Sequence, residues 1–245
     1  MKIIVEIEPT RNISKLESLV RTITEIPCID MVAVPDAPLG KPKVLGVMLA
    51  SFFEHAGIPT IAHVRLRDMN MVLFEQVVWG AYIAGVTRLL FLRGDPPAKG
   101  RDVNEVTSEY AVEYVKRHDK LSSRIKAGIY LSMRWGVEKA LERVMKTRAD
   151  FYTVNRLDPQ LSEHVEFVKK AKTTGAQIFA YLITARSSQL EKLRAILEGQ
   201  PVRPLEKLDD YIRAFRDSGV DGVVLSSPLD IRALLQILKE TCNDA

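Results

Sequence analysis

Glu6 stands inside an otherwise apolar run, Ile3-Ile4-Val5-Glu6-Ile7. Turned toward a dry interior, its carboxyl group would hold its proton more tightly and suit general-acid work; turned outward, it would pair with a helix lysine. His63 lies in a second apolar run, Thr60-Ile61-Ala62-His63-Val64, and is either a hydrogen-bonded core histidine or a polar group aimed at a ligand. Asp95, in Arg93-Gly94-Asp95-Pro96-Pro97, belongs to a stiff, exposed loop, where its carboxylate either orients a ligand or caps a turn. Asp68 and Asn70 can each cap the helix that follows them; only one is needed, which leaves the other spare. Arg65 and Arg67 read as solvated charges, and Trp79, Tyr82, Tyr110 and Tyr114, at helical spacings, as packing residues.

These side chains can act together only if the elements around them bring them to one place. Short β-rich runs at 2–7, 30–34, 60–65, 88–92, 124–130, 150–154, 177–183 and 221–225 alternate with helical patterns at 12–24, 42–56, 70–85, 103–118, 134–147, 159–174, 188–198 with 205–218, and 229–241. Eight such units in 245 residues predict an α/β fold, a single (β/α)8 TIM barrel over 1–245. In such a barrel the polar residues at strand C-termini converge on one mouth, which places Glu6, His63, Asp95 and Asn155 near one another. Asn12 and Asp158-Pro159 read as helix starts; Gly57, Gly85, Gly175 and Gly219 read as helix ends. The stretch from Gly199 to Pro204, rich in proline and glycine, reads as a surface excursion tolerant of substitution.

Composition narrows the function. A net charge of +4, from 35 basic and 31 acidic residues spread along the chain, suits small anions and lacks the basic stripe of a nucleic-acid binder. No apolar run approaches the ~18 residues of a membrane span. Cys28 and Cys242 lie far apart without flanking metal ligands, so neither a metal site nor a disulfide is expected, and a reducing cytoplasm fits. The dinucleotide, P-loop, zinc-protease and nucleophile-elbow motifs are all missing.

Three stretches resemble the methylenetetrahydrofolate reductase family. Glu6-Ile7-Glu8-Pro9-Thr10-Arg11 is similar to its E-x-x-P-P-R, Arg67-Asp68-Met69-Asn70 to its R-D-x-N, and Leu92-Arg93-Gly94-Asp95-Pro96-Pro97 to its L-x-G-D-P-P. The resemblance is clear over residues 1–111 and faint beyond. It implies a flavoprotein oxidoreductase of one-carbon metabolism that reduces a methylene-tetrahydropterin, folate or a relative, with FAD and with NAD(P)H as donor. Glu6 would be the acid and Asp95 the electrostatic partner at the pterin. His63, Arg93, Gly94, Tyr110 and Ala111 would contact flavin, and Asn155 the substrate. The chain departs from the family at three strand ends: in Tyr130-Leu131-Ser132-Met133-Arg134 after strand 5, where the family has a proline-bearing flavin loop; in Thr153-Val154-Asn155, where it has T-Q; and in Tyr181-Leu182-Ile183-Thr184, where it has G-I-x-P. A different carrier, a flavin-free hydride transfer, or a homo-oligomer or partner subunit supplying missing parts would each account for these departures. A pterin-dependent methyltransferase and a non-catalytic barrel subunit are the rival functions.

Overall fold

In the computed structural model, which describes residues 1–197 and 199–243, eight parallel strands close into a barrel. They are β1 (Lys2–Glu6), β2 (Met31–Val34), β3 (Thr60–Arg65), β4 (Arg88–Leu92), β5 (Lys126–Ser132), β6 (Phe151–Asn155), β7 (Gln177–Ala185) and β9 (Gly222–Ser226), with the short β8 (Val202–Pro204) added to β7. Closure comes from β9, which pairs with both β1 and β7: Val5 lies opposite Leu225, and Ile183 opposite Ser226. The expected (β/α)8 barrel is therefore the observed fold.

The strands are apolar on both faces because both are covered. One set of alternate residues, Ile4, Met31, Ile61, Leu90, Phe151, Phe179 and Val224, fills the barrel interior. The other set, with Val5, Val32, Val64, Phe91 and Val154 among it, packs against the helices. Those helices are α1 (Ile13–Thr24), α2 (Gly46–His55), α3 (Met71–Ile83), α4 (Ser108–Arg117), α5 (Asp119–Ser122), α6 (Val137–Thr147), α7 (Ser162–Lys172), α8 (Leu190–Ile196), α9 (Leu208–Asp217) and α10 (Ile231–Asn243). Each amphipathic helix buries one stripe; on α9 it is Leu208, Ile212 and Phe215. The predicted end of the 188–198 helix and the last two residues of the predicted domain lie outside the described residues.

Several expectations need correction. Asn12 does cap α1, accepting from the Lys15 amide at 3.0 Å, but Asp158 caps nothing. Instead α7 begins at Ser162, and Asp158 turns back to the Gln160 amide and to Arg203. The 199–204 excursion is not loose surface. Its residues Val202 to Pro204 hydrogen-bond to β7 from Ile183 to Ala185, on the edge that β6 vacates after Asn155. There Arg203 pairs with Asp158 at 3.3 Å and lies over the Tyr211 ring. The two cysteines form a disulfide, Cys28–Cys242, with Cα atoms 5.9 Å apart, because barrel closure carries the last helix back beside the loop that leaves α1. Among the described residues no helix is long and apolar enough to cross a membrane.

Candidate active site

Glu6 ends β1 on the inward parity set by Ile4, so its side chain enters the throat of the barrel above the apolar plug. Two neighbouring strands hold it there. Tyr181 on β7 and Ser226 at the end of β9 both donate their hydroxyls to Glu6 Oε1, each at 2.7 Å. Burial raises the pKa of this carboxyl, overcoming the opposing effect of the two donors. Oε2 makes no hydrogen bond among the described residues. One oxygen is thus fixed and the other is left without a partner, on a carboxyl group that burial makes hold its proton more tightly than usual.

Around it stand two phenols. Tyr130 and Tyr181 meet edge to face, with ring centroids 5.8 Å apart. Burial, then the nearby Glu6 charge, pushes the Tyr181 hydroxyl well up. Burial, Glu6 and Asp95 push Tyr130 up, against a smaller pull from Arg156, so both tyrosines stay neutral donors. Asp95 itself is exposed and has no hydrogen-bond or ion-pair partner among the described residues, which leaves its carboxylate open to a ligand.

The Asp95 loop is fixed by its neighbours. Gly40, at φ +67°, lies so close to the Pro96 carbonyl that any Cβ there would overlap it, and the Gly40 carbonyl accepts from the Ala98 amide at 2.9 Å. Gly94, at φ +81°, makes room for Arg65: a Cβ there would come within 2.7 Å of Arg65 Nη1. Arg65 is not a solvated charge. It is 2% exposed, ion-paired through its guanidinium to Asp68, and its Nη1 finds no partner. Asp36, at the end of β2, accepts from the Arg65 and Gly46 amides, and burial raises its pKa. Of the two candidate caps of α3, Asn70 is the one used, at 3.0 Å to Leu73, which frees Asp68 for Arg65. His63, one inward position below Arg65, is 4% exposed; burial lowers its pKa to about 4, and its Nε2 is unpartnered.

The remaining candidates are placed differently. Asn155 ends β6 at the mouth, but its amide donates to Gln200 at 2.7 Å. Beside it Arg156, at φ +61°, donates to the Gly199 carbonyl at 2.7 Å. Arg93 points to the rim and pairs with Asp102 at 3.4 Å. Tyr110 and Ala111 lie outside the barrel: Tyr110 packs on Phe74, with centroids 6.1 Å apart, and Ala111 is fully buried among the helices. Tyr130 and Arg156 follow from their places at strand ends, but sequence reasoning missed Tyr181 and Ser226 as the partners of Glu6 and Tyr130 as the ring beside them. The signal for the tyrosines was a polar aromatic at an inward position of an apolar strand, readable only once the parity is known.

No family model and no curated protein matches the chain. Similar solved structures include a protein of Clostridium thermocellum that binds two copies of 5-methyl-5,6,7,8-tetrahydrofolic acid (TM-score 0.63, 11% identity, covering 100% of this chain and 96% of that one). Others are a structure from the tryptophan synthase complex of Pyrococcus furiosus (0.58, 11%, 99% and 96%) and the aldolase QR15 (0.59, 12%, 99% and 94%). At such identities the likeness establishes the fold, a (β/α)8 barrel that carries different chemistries in different proteins.

Proposed function

We propose that the barrel binds a methylene-tetrahydropterin, folate or a relative, at its mouth and reduces the methylene to a methyl group with hydride from NAD(P)H. The observation that carries this reading is the Glu6 carboxyl buried in the throat, its pKa raised by burial, with Oε1 fixed by Tyr181 and Ser226 and Oε2 without a hydrogen bond among the described residues. It protonates one nitrogen of the methylene bridge, the bridge opens to an iminium ion, and hydride from the nicotinamide completes the methyl group. Asp95, the open carboxylate of the rim, stabilises the positive charge of the iminium. Tyr181 and Ser226 hold the acid in place, and solvent reprotonates it after turnover. The folate bound by the Clostridium thermocellum barrel supports a reduced pterin as ligand.

FAD, which the family resemblance implies, meets few open contacts. Of the positions that resemblance assigns to it, only His63 offers an unpartnered buried polar atom; Arg93 is paired, the space beside Gly94 is filled by Arg65, and Tyr110 and Ala111 face the helix layer. These residues do not fit a resident flavin, so in this reading hydride passes directly from the nicotinamide to the iminium carbon. The visible spectrum of the purified protein, with and without added FAD, checks this and is expected to stay featureless.

The deciding experiment follows NAD(P)H oxidation on methylene-tetrahydrofolate together with the affinity for 5-methyltetrahydrofolate. Glu6→Gln should lower turnover by about 10²–10⁴-fold and Asp95→Asn by about 10²–10³-fold, with affinity changed only a few-fold. Normal turnover in Glu6→Gln would overturn the acid role. The Clostridium thermocellum ligand is the methyl form, which also suits a methyltransferase or a non-catalytic barrel subunit. Tight binding of the methyl form by a wild-type protein that oxidises no NAD(P)H would select that second reading.

A further inference from the structure

Two neighbouring helices of the outer layer, α2 and α3, differ from the others. Where α7 and α9 turn acids and basic residues toward water, α2 and α3 together carry only two acids, Glu54 and Glu75, and neither belongs to the outer face. Glu54 Oε1 accepts from the Thr60 and Thr87 hydroxyls at the N-terminal ends of β3 and β4, at 2.8 and 3.2 Å, and Glu75 lies beside Tyr114 of α4. What these helices expose is apolar. Leu45, at the start of α2, Met48 and Phe52 recur at helical spacing, as do Val72, Leu73, Gln76, Gly80 and Ile83 on α3, and the two helices pack side by side. At 39–80% exposure, the six large apolar residues present roughly 600 Å², the upper end of what an ordinary monomer leaves bare and most of the ~800 Å² that each partner of a standard interface buries. Gly80, in the middle of the α3 stripe, adds an independent sign. A glycine there costs the helix about 1 kcal/mol relative to alanine, yet nothing within the chain requires it: its φ is not positive, and a Cβ would meet no atom within 4 Å. The missing side chain leaves the backbone open to close approach from outside.

We infer that α2 and α3 form the contact face of a dimer of this chain, with the α3 helices of the two copies crossing at Gly80. The occupant follows from charge and area. A two-fold axis lays a surface patch against the same patch of its partner, so a patch free of acids, lysines and arginines meets itself without repulsion. A partner chosen by charge would need charged groups here, which the other helices supply and these two do not. The face lies on the outer layer, away from Glu6 in the throat, so the inference is independent of what the mouth binds.

Sedimentation equilibrium over a wide range of protein concentration tests this on wild type and two single variants, with circular dichroism to check their folding. Wild type should weigh twice the 27.6 kDa of one chain. Phe52→Glu sets like charges against each other across the contact and should raise the dissociation constant by about a hundredfold or more. Gly80→Lys blocks the crossing without threatening the fold, because lysine is the better helix former and the space around it is open. It should give a monomer with an unchanged dichroism spectrum, and it decides alone if Phe52→Glu does not fold. A wild type that remains single at every concentration overturns the inference, as does a folded Gly80→Lys that dimerises with wild-type affinity. Phosphatidylcholine vesicles, with and without an anionic lipid, probe the other occupant. A monomeric wild type that sediments with vesicles, and loses that binding in Phe52→Glu or Gly80→Lys, would assign the face to a membrane surface and overturn the dimer.

Discussion

His63 carries the largest consequence for the pH behaviour of the molecule. Its imidazole is buried without a partner for Nε2, and its pKa falls to about 4 from the usual 6.5. Between those values the unfolded chain binds the proton and the folded one does not, so stability rises with pH across that window. The His63 contribution is complete above about pH 6.5 and lost as pH falls through 4, roughly 3 kcal/mol in all. Glu6 and Asp36 act with the opposite sign, since a raised carboxyl pKa gives stability at low pH that declines as pH rises. The His63 effect is therefore isolated by comparison: between pH 7 and 4, denaturation of His63→Gln should show a shallower loss of stability than wild type. Parallel curves would mean that the imidazole takes up its proton in the folded protein as readily as in the unfolded chain.

Among the elements, β5 and β6 depend on one missing methyl group. Gly128 occupies an inward position of β5, opposite Phe151 on β6, and the Phe151 ring fills the space that a side chain there would need. Phe151 is 1% exposed and packs on Phe179, at 5.7 Å between centroids, so it has nowhere to retreat. Gly128→Ala should cost about 1–3 kcal/mol through overpacking, although alanine suits a strand better than glycine does. A thermal melt checks this; an unchanged midpoint would show that the barrel interior relaxes around the ring. The same scale explains β8. Asn155, Arg156 and Asp158 on the β6 side engage Gln200, Gly199 and Arg203 of the excursion, which turns an apparent loop into the wall between β6 and β7.

For the molecule as a whole, the Cys28–Cys242 bridge closes 214 residues of chain and pins the last helix, α10, to the start of the barrel. In the chain-entropy account a loop of that size constrains the unfolded state by about 5 kcal/mol, an upper figure because strain and residual structure reduce it. Intact-mass measurement without reductant should find the protein two hydrogens lighter than the dithiol. Cys28→Ser should melt below the oxidised wild type and match the reduced one. Equal melting with and without reductant would show that α10 is held by the packing of Leu234, Leu235 and Leu238 alone.

The sequence by itself determined the alternation of strands and helices, because that pattern is written in local periodicity: β3 at 60–65 and β4 at 88–92 fall where the apolar runs do. It also determined the Asn12 cap and the glycines that end helices, whose causes lie within a few residues. Asp95 on an exposed loop was legible for the same reason. What only the tertiary structure decided is how distant residues meet. Tyr181 reaches Glu6 across 175 positions and Ser226 across 220, and Cys28 finds Cys242 across 214. No local signal announces such pairs. Whether Glu6 faced the throat, whether Arg65 was solvated and whether residues 202–204 formed a strand all depended on barrel register and closure, since a shift of one residue along a strand turns every side chain to the opposite face.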